Sequence, residues 1–160
     1  MSHPSLGLPP RDLTAGRPDA AALLTTARHR LAGRSLEIAI ELDPTFAERH
    51  DETVLRGLLA DLSAFVDRLA LAVAAGDPGV MGGFAEMVAV RYRKRTIPMD
   101  DVKTLCEGLR RSTQAVLPSD VAPAVDPPLD EAIRVFHWHR RLAGDARKRN
   151  PLLAFIYKGA

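Results

Sequence analysis

One cysteine, Cys106, stands in 160 residues, so no internal disulfide framework exists and no thiolate cluster can build structural zinc. A reducing compartment is the expectation, with cytoplasm as the default. No uninterrupted apolar run approaches the roughly eighteen residues of a membrane span, and the leading MSHPSLGLPPRDLTAGRPD lacks the apolar core of a signal peptide. A soluble chain is expected. The Gly82-Gly83 pair has neither a preceding strand nor a following Lys-Ser or Lys-Thr, so it is no phosphate loop. Net charge is nearly absent as well: 22 Lys and Arg oppose 20 Asp and Glu, a balance that by itself specifies no nucleic-acid partner. No internal repeat and no heptad array for an extended coiled coil is present.

Apolar residues are present in quantity, 46% of the chain, enough for a single buried core. Their spacing is helical. In ETVLRGLLADLSAFVDRLALAVAA, residues 52–75, Leu55, Leu59, Leu62, Val66, Leu69 and Val73 recur at alternating fours and threes while Asp61, Asp67 and Arg68 fall off the stripe. This stretch is predicted to be the central helix of an all-α, single-domain bundle of five to six helices. Pro18 and Asp19 open a helix to about Gly33, and after a break near Arg34 or Ser35 a second stripe runs through Leu36, Ala39 and Ile40 to Asp43-Pro44. Gly76-Asp77-Pro78 closes the central helix and starts the next, over residues 78–94, with Met81, Phe84, Met87 and Val88 inward. Gly82 and Gly83 there suggest a close crossing. Past Ile97-Pro98, residues 99–116 form another helix, with Val102, Leu105, Leu109 and Val116 on its core face. Four prolines make LPSDVAPAVDPP a connector, and a last helix runs from Leu129 to about Ala143. The organisation expected is an extended arm over residues 1–17, the bundle over 18–146 and a C-terminal tail over 147–160.

Charge is unevenly placed. Seven of the 22 basic residues but one of the 20 acids lie from Arg134 onward, which leaves +6 there and −4 in the rest. Arg140, Arg141, Arg147, Lys148 and Arg149 precede Pro151-Leu152-Leu153-Ala154-Phe155-Ile156-Tyr157, a cationic collar joined to a compact apolar peptide. Such a run is seldom left in water. It either folds back on its own bundle or docks on another protein; attachment to a membrane surface ranks third, since seven apolar residues bury too little to anchor alone.

The segment LDPTFAERH, the helix LRGLLADLSAFVDRLALAV, the turn AAGDPGVMGGF and the pair RTIPMDDVKTLCEGLRRS occur in an order and spacing that resembles the helical input domains preceding cobalamin-binding or stressosome-type output domains in bacterial regulators. About half the chain is covered. The resemblance implies a globin-like or bundle-like sensory fold used for protein contacts, often without catalytic residues of its own. It departs from that pattern at the end, where a basic, apolar-tipped tail takes the place of an output domain.

Candidate sites each have a plain structural reading beside the functional one. A globin-like fold invites His139, which shares a helix face with Phe136 and Leu142, as an axial haem ligand; His137, two residues away, points elsewhere. The competing reading is a half-buried, hydrogen-bonded structural histidine. His29 and His50 sit in polar stretches and are expected at the surface. Asp100 and Asp101 serve the dipole of the helix they open, and Cys106 is a small core residue with no activating neighbour. The cluster Arg91, Arg93, Lys94 and Arg95 around Tyr92 reads as a solvated helix end or as a contact for phosphate or an acidic partner. No cofactor or metal is required by these residues. The function expected is a non-catalytic sensory or adaptor domain acting through protein contact, with Arg140, Arg141, Arg147, Lys148, Arg149, Leu152, Leu153, Phe155, Ile156 and Tyr157 as its docking element. A haem-type sensor and a basic nucleic-acid-associated factor are the alternatives.

Overall fold

A computed structural model describes residues 15–149 of the chain, and their side chains as far as Leu142. Seven α-helices follow one another: α1 (Pro18–Thr26), α2 (Arg28–Leu42), α3 (Phe46–Arg49), α4 (Glu52–Ala75), α5 (Gly79–Lys94), α6 (Met99–Val116) and α7 (Asp126–Arg149), with a 3-10 turn at Ala122–Val125. The all-α expectation holds, with seven helices in place of five or six. α2 packs on α4 and α6, α6 on α7, α7 on α5, and α5 back on α4, so five helices close a ring while α1 lies along α4. No helix among the described residues is long and apolar enough to cross a membrane.

The central helix has the bounds its periodicity and caps dictate. Asp51 accepts the Val54 amide at 2.8 Å to start it. Gly76, left-handed at φ 61, ends it, with the Asp77 amide reaching back to Ala72 O and the Gly76 amide to Val73 O. Its buried arc is wider than the predicted stripe. Leu62, Val66, Leu69 and Val73 are buried as expected, Leu55 is half-buried, and Leu59 is exposed. Leu58, Phe65 and Ala72, seven apart, are buried in addition, because a helix flanked on both sides must bury two stripes. Phe65 meets Phe84 of α5 edge-on with ring centroids 5.1 Å apart and Phe136 of α7 at 6.2 Å.

Three boundaries differ from the sequence reading. The first break falls at Ala27, and the helix then continues through Gly33 and Ser35. Ser35 is accommodated inside it because its hydroxyl donates to Leu31 O at 2.6 Å. α7 starts at Asp126, with Pro127 and Pro128 in the first turn, where missing amides do no harm. It also runs to Arg149, past the predicted end near Ala143, since Asp-Ala-Arg-Lys-Arg tolerates a helix well enough to carry it over Gly144. Met87, placed inward by its spacing, is exposed: the buried face of α5 is Met81, Gly82, Ala85, Val88, Ala89 and Tyr92.

The close crossing expected at Gly82-Gly83 lies elsewhere. A Cβ on Gly83 would meet open space, and one on Gly82 would meet only the flexible side chain of Glu131. At Gly108 of α6 an added Cβ would stand 2.4 Å from Ser35 O, a backbone atom of α2 that cannot swing away. Ser112 Oγ donates to Leu31 O across the same seam at 3.2 Å. Gly108→Ala is therefore expected to destabilise the fold by about 1–3 kcal/mol through overpacking, although alanine is the better helix former. Gly33→Ala, which meets nothing within 4 Å, is expected to stabilise by roughly 0.5–1 kcal/mol. Urea midpoints for the two variants moving in the same direction would overturn the assignment of the seam.

Candidate functional site

Polar groups gather at several places in this bundle, three of which hold residues that stood out in the sequence. The first is Asp101, in the opening turn of α6 and 3% exposed. It accepts from Arg49 Nη2 at 2.7 Å and from His50 Nε2 at 2.7 Å, while the same Arg49 nitrogen reaches Asp43 at 2.6 Å. Hydrogen bonds to Asp101 first, and to Asp43 next, hold the Arg49 guanidinium charged well above its ordinary range. Phe46, fully buried, packs its ring edge-on to His50 at 5.1 Å and lies under Arg49. The one-turn helix α3 is thus pinned to α6. His50 is buried rather than on the surface, and Asp101 does more than serve a dipole. Asp100 keeps the exposed role: burial pushes its carboxyl up, but hydrogen bonds from Lys103 and Arg140 bring it below the usual carboxylate range. Nothing in the sequence announces the Asp101 cluster, whose members are about fifty residues apart.

The second is His139 on α7, buried, with Nε2 at 2.6 Å from Glu86 Oε2 and Nδ1 against Arg93 Nη1. A guanidinium only donates, so Nδ1 accepts and the ring hydrogen sits on Nε2, directed to Glu86. Both ring nitrogens are occupied by protein, which gives His139 the hydrogen-bonded form. Among the described residues, no three His, Cys, Asp or Glu gather where they could hold a metal. Cys106 is fully buried, and burial pushes its thiol up to about 12, the state of an inert core residue.

The third place is different, because it is not closed. Asp61, Ala64, Phe65, Phe84, Val88, Arg91, Tyr92 and Arg95 line a half-open cavity of about 70 Å³ between α4 and α5. Arg95 donates to Asp61 at 2.6 Å and stacks 5.6 Å over the Tyr92 ring. Its guanidinium has room because position 57 is glycine: a Cβ there would stand 2.8 Å from Arg95 Nη2. Tyr92 is 2% exposed, and its hydroxyl is buried beside the Asp61 carboxylate. Burial first, and the charge of Asp61 next, push that phenol far above its ordinary value, so it is a neutral donor. The end of α5 beside it is strained. Thr96 takes φ 59 in the position that ordinarily goes to glycine, with the Ile97 amide bonded to Tyr92 O and the Thr96 amide to Arg93 O. Of the basic cluster predicted there, Arg91 and Arg95 border the cavity and Arg93 turns away to α7.

The predicted docking residues divide. Arg140 is half-exposed and paired with Asp100 at 2.6 Å. Arg141 is exposed. Arg147, Lys148 and Arg149 belong to the last turns of α7, with side chains outside the described part, and Leu152, Leu153, Phe155, Ile156 and Tyr157 lie outside the described residues. What the sequence reading missed is Trp138. It stands 50% exposed on the outer face of α7 beside Arg134, His137 and Arg141. No family model matches the chain, and no curated protein or solved structure shows detectable similarity to it.

Proposed function

We propose that this chain is a non-catalytic sensory or adaptor domain of the cytoplasm that works by binding another protein, with the outer face of α7 and the segment after it as the docking element. The observation that carries the reading is Trp138, the chain's one tryptophan, half-exposed on a helix where Arg134, His137 and Arg141 are exposed with it. Tryptophan and arginine are the residues that most often dominate binding energy at protein interfaces. The +6 balance from Arg134 onward selects an acidic partner surface and speeds its approach. The resemblance to regulator input domains supports the same class of function.

The test is affinity capture with the full chain, with residues 150–160 deleted, and with Trp138→Ala, beside thermal melts of all three. Loss of one and the same captured protein from both variants, at melting temperatures within a few degrees of the parent, is the expected result. Retained capture by both would refute the docking role. A large drop in stability on deletion would instead place the terminal peptide against its own bundle.

A further inference from the structure

From the outer face of the packed pair α5 and α7 we infer an interaction surface for an acidic amphipathic helix of another protein. The inference rests on the docking role of α7 and extends it to a second helix. Met87 and Val90 of α5 are exposed, as Trp138 of α7 is, and contacts between the two helices place all of them on one side. Gly82, Glu86 and Arg93 form the edge of α5 that meets Glu131 and His139 of α7. The core takes the side of α5 that carries Ala85, Val88 and Tyr92, and the side of α7 that carries Ala132 and Phe136. Beyond the shared edge, at roughly 100° per residue, come Gly83, Met87, Val90 and Lys94 on α5 and Arg134, Trp138 and Arg141 on α7, every one exposed. The two outer faces therefore adjoin along the seam.

The patch is apolar along α5 and cationic where both helices end. Glu131 is paired with Arg134, and Glu86 is held through His139 to Arg93. Lys94 and Arg141 have no such partner among the described residues, and Arg147, Lys148 and Arg149 continue the cationic run in α7. Surplus positive charge beside exposed apolar side chains selects an acidic partner that brings apolar anchors of its own. Nucleic acid would use the cations and leave Met87 and Val90 in water. A membrane surface needs more apolar area than Met87, Val90 and Trp138 provide. The chain's own end carries Arg147, Lys148, Arg149 and Lys158 and no acidic side chain after Asp145, so it has the wrong sign to cover this face. The seam of two packed helices is a shallow groove, the form of surface on which an amphipathic helix is taken. Gly83 leaves the α5 side of it open: a Cβ there would meet nothing within 4 Å, so packing inside the fold does not require glycine.

Fluorescence of Trp138, the chain's one tryptophan, reports on this face directly. The probe is a synthetic helical peptide about four turns long, with leucine at the i, i+3, i+4 and i+7 spacing and glutamate elsewhere; its control has lysine for every glutamate. The acidic peptide should shift the Trp138 emission to the blue with saturation, and the lysine peptide should not. Met87→Glu and Val90→Glu, at exposed positions where the melting temperature should hold, should each weaken binding at least about tenfold. Lys94→Gln should reduce its salt dependence. Calorimetry on Trp138→Ala separates this inference from the reading beneath it. Peptide binding lost in Trp138→Ala but kept in Met87→Glu and Val90→Glu would confine the docking face to α7 and overturn the inference alone; binding kept in all three would overturn both. No saturable shift, equal binding of the lysine peptide, tighter binding to vesicles of phosphatidylcholine and phosphatidylserine, or a gain in peptide affinity on deleting residues 150–160 would each overturn it as well.

Discussion

Asp101→Ala is expected to destabilise the protein by about 3 kcal/mol, at the lower end of what breaking a buried ion pair costs. The carboxylate is 3% exposed and is the shared acceptor for Arg49 and His50. Its removal leaves the ring of His50, itself buried, without a partner. Arg49 is partly relieved, since it still holds Asp43 and reaches solvent, which is why the lower end of the range applies. The neighbouring Asp100→Ala should cost under about 1 kcal/mol, because its pairs with Lys103 and Arg140 are largely solvated. Urea unfolding of the two variants at unchanged m-value provides the measurement. Costs within a few tenths of a kcal/mol of each other would show that the Asp101 cluster is not the clamp between α3 and α6 described here.

The same adjacent pair shows where sequence reasoning stops. Periodicity and caps act over three or four residues, so α4 and α6 were legible to the residue: Gly76 and Pro98 are local signals with local effects. The Ala27 break carries no such signal, and the chain there bends without a glycine or proline to announce it. Which of two neighbouring aspartates is buried depends on a partner about fifty residues away, and nothing near Asp101 encodes that. The cavity was half legible. Its arginines stood out as a cluster around Tyr92, but the burial of the Tyr92 hydroxyl beside Asp61 depends on how α4 packs, and so does the room that Gly57 leaves for Arg95. Trp138 sits in a motif that drew notice for its histidines; its exposure follows from α7 burying Val135, Phe136 and His139 on the other side.

Phe65→Ala is expected to have an effect as large or larger, about 3–5 kcal/mol. The stripe of fours and threes in residues 52–75 omits Phe65 and includes Leu59, yet Phe65 is 2% exposed and Leu59 is 38% exposed. The difference arises because α4 packs on α5 and α7 as well as on α1 and α2, and Phe65 faces α5 and α7. There its ring contacts Phe84 and Phe136, so truncation removes the aromatic contact between α4, α5 and α7 and leaves a cavity the size of a ring. Phe65 also walls the cavity between α4 and α5, so Phe65→Ala should enlarge that cavity while it weakens the fold. Leu59→Ala should change stability by no more than about 0.5 kcal/mol, the ordinary range for an exposed position. Leu62→Ala, on the stripe that both readings bury, should cost about 2–5 kcal/mol, whereas Asp67→Ala, which gives up an exposed pair with Arg28, should cost under about 1 kcal/mol. Chemical denaturation of the four variants separates a one-stripe helix from a two-stripe helix. A Leu59→Ala cost comparable to that of Phe65→Ala would mean that α4 is rotated about its axis from the orientation described, and the cavity beside Tyr92 would lose its wall.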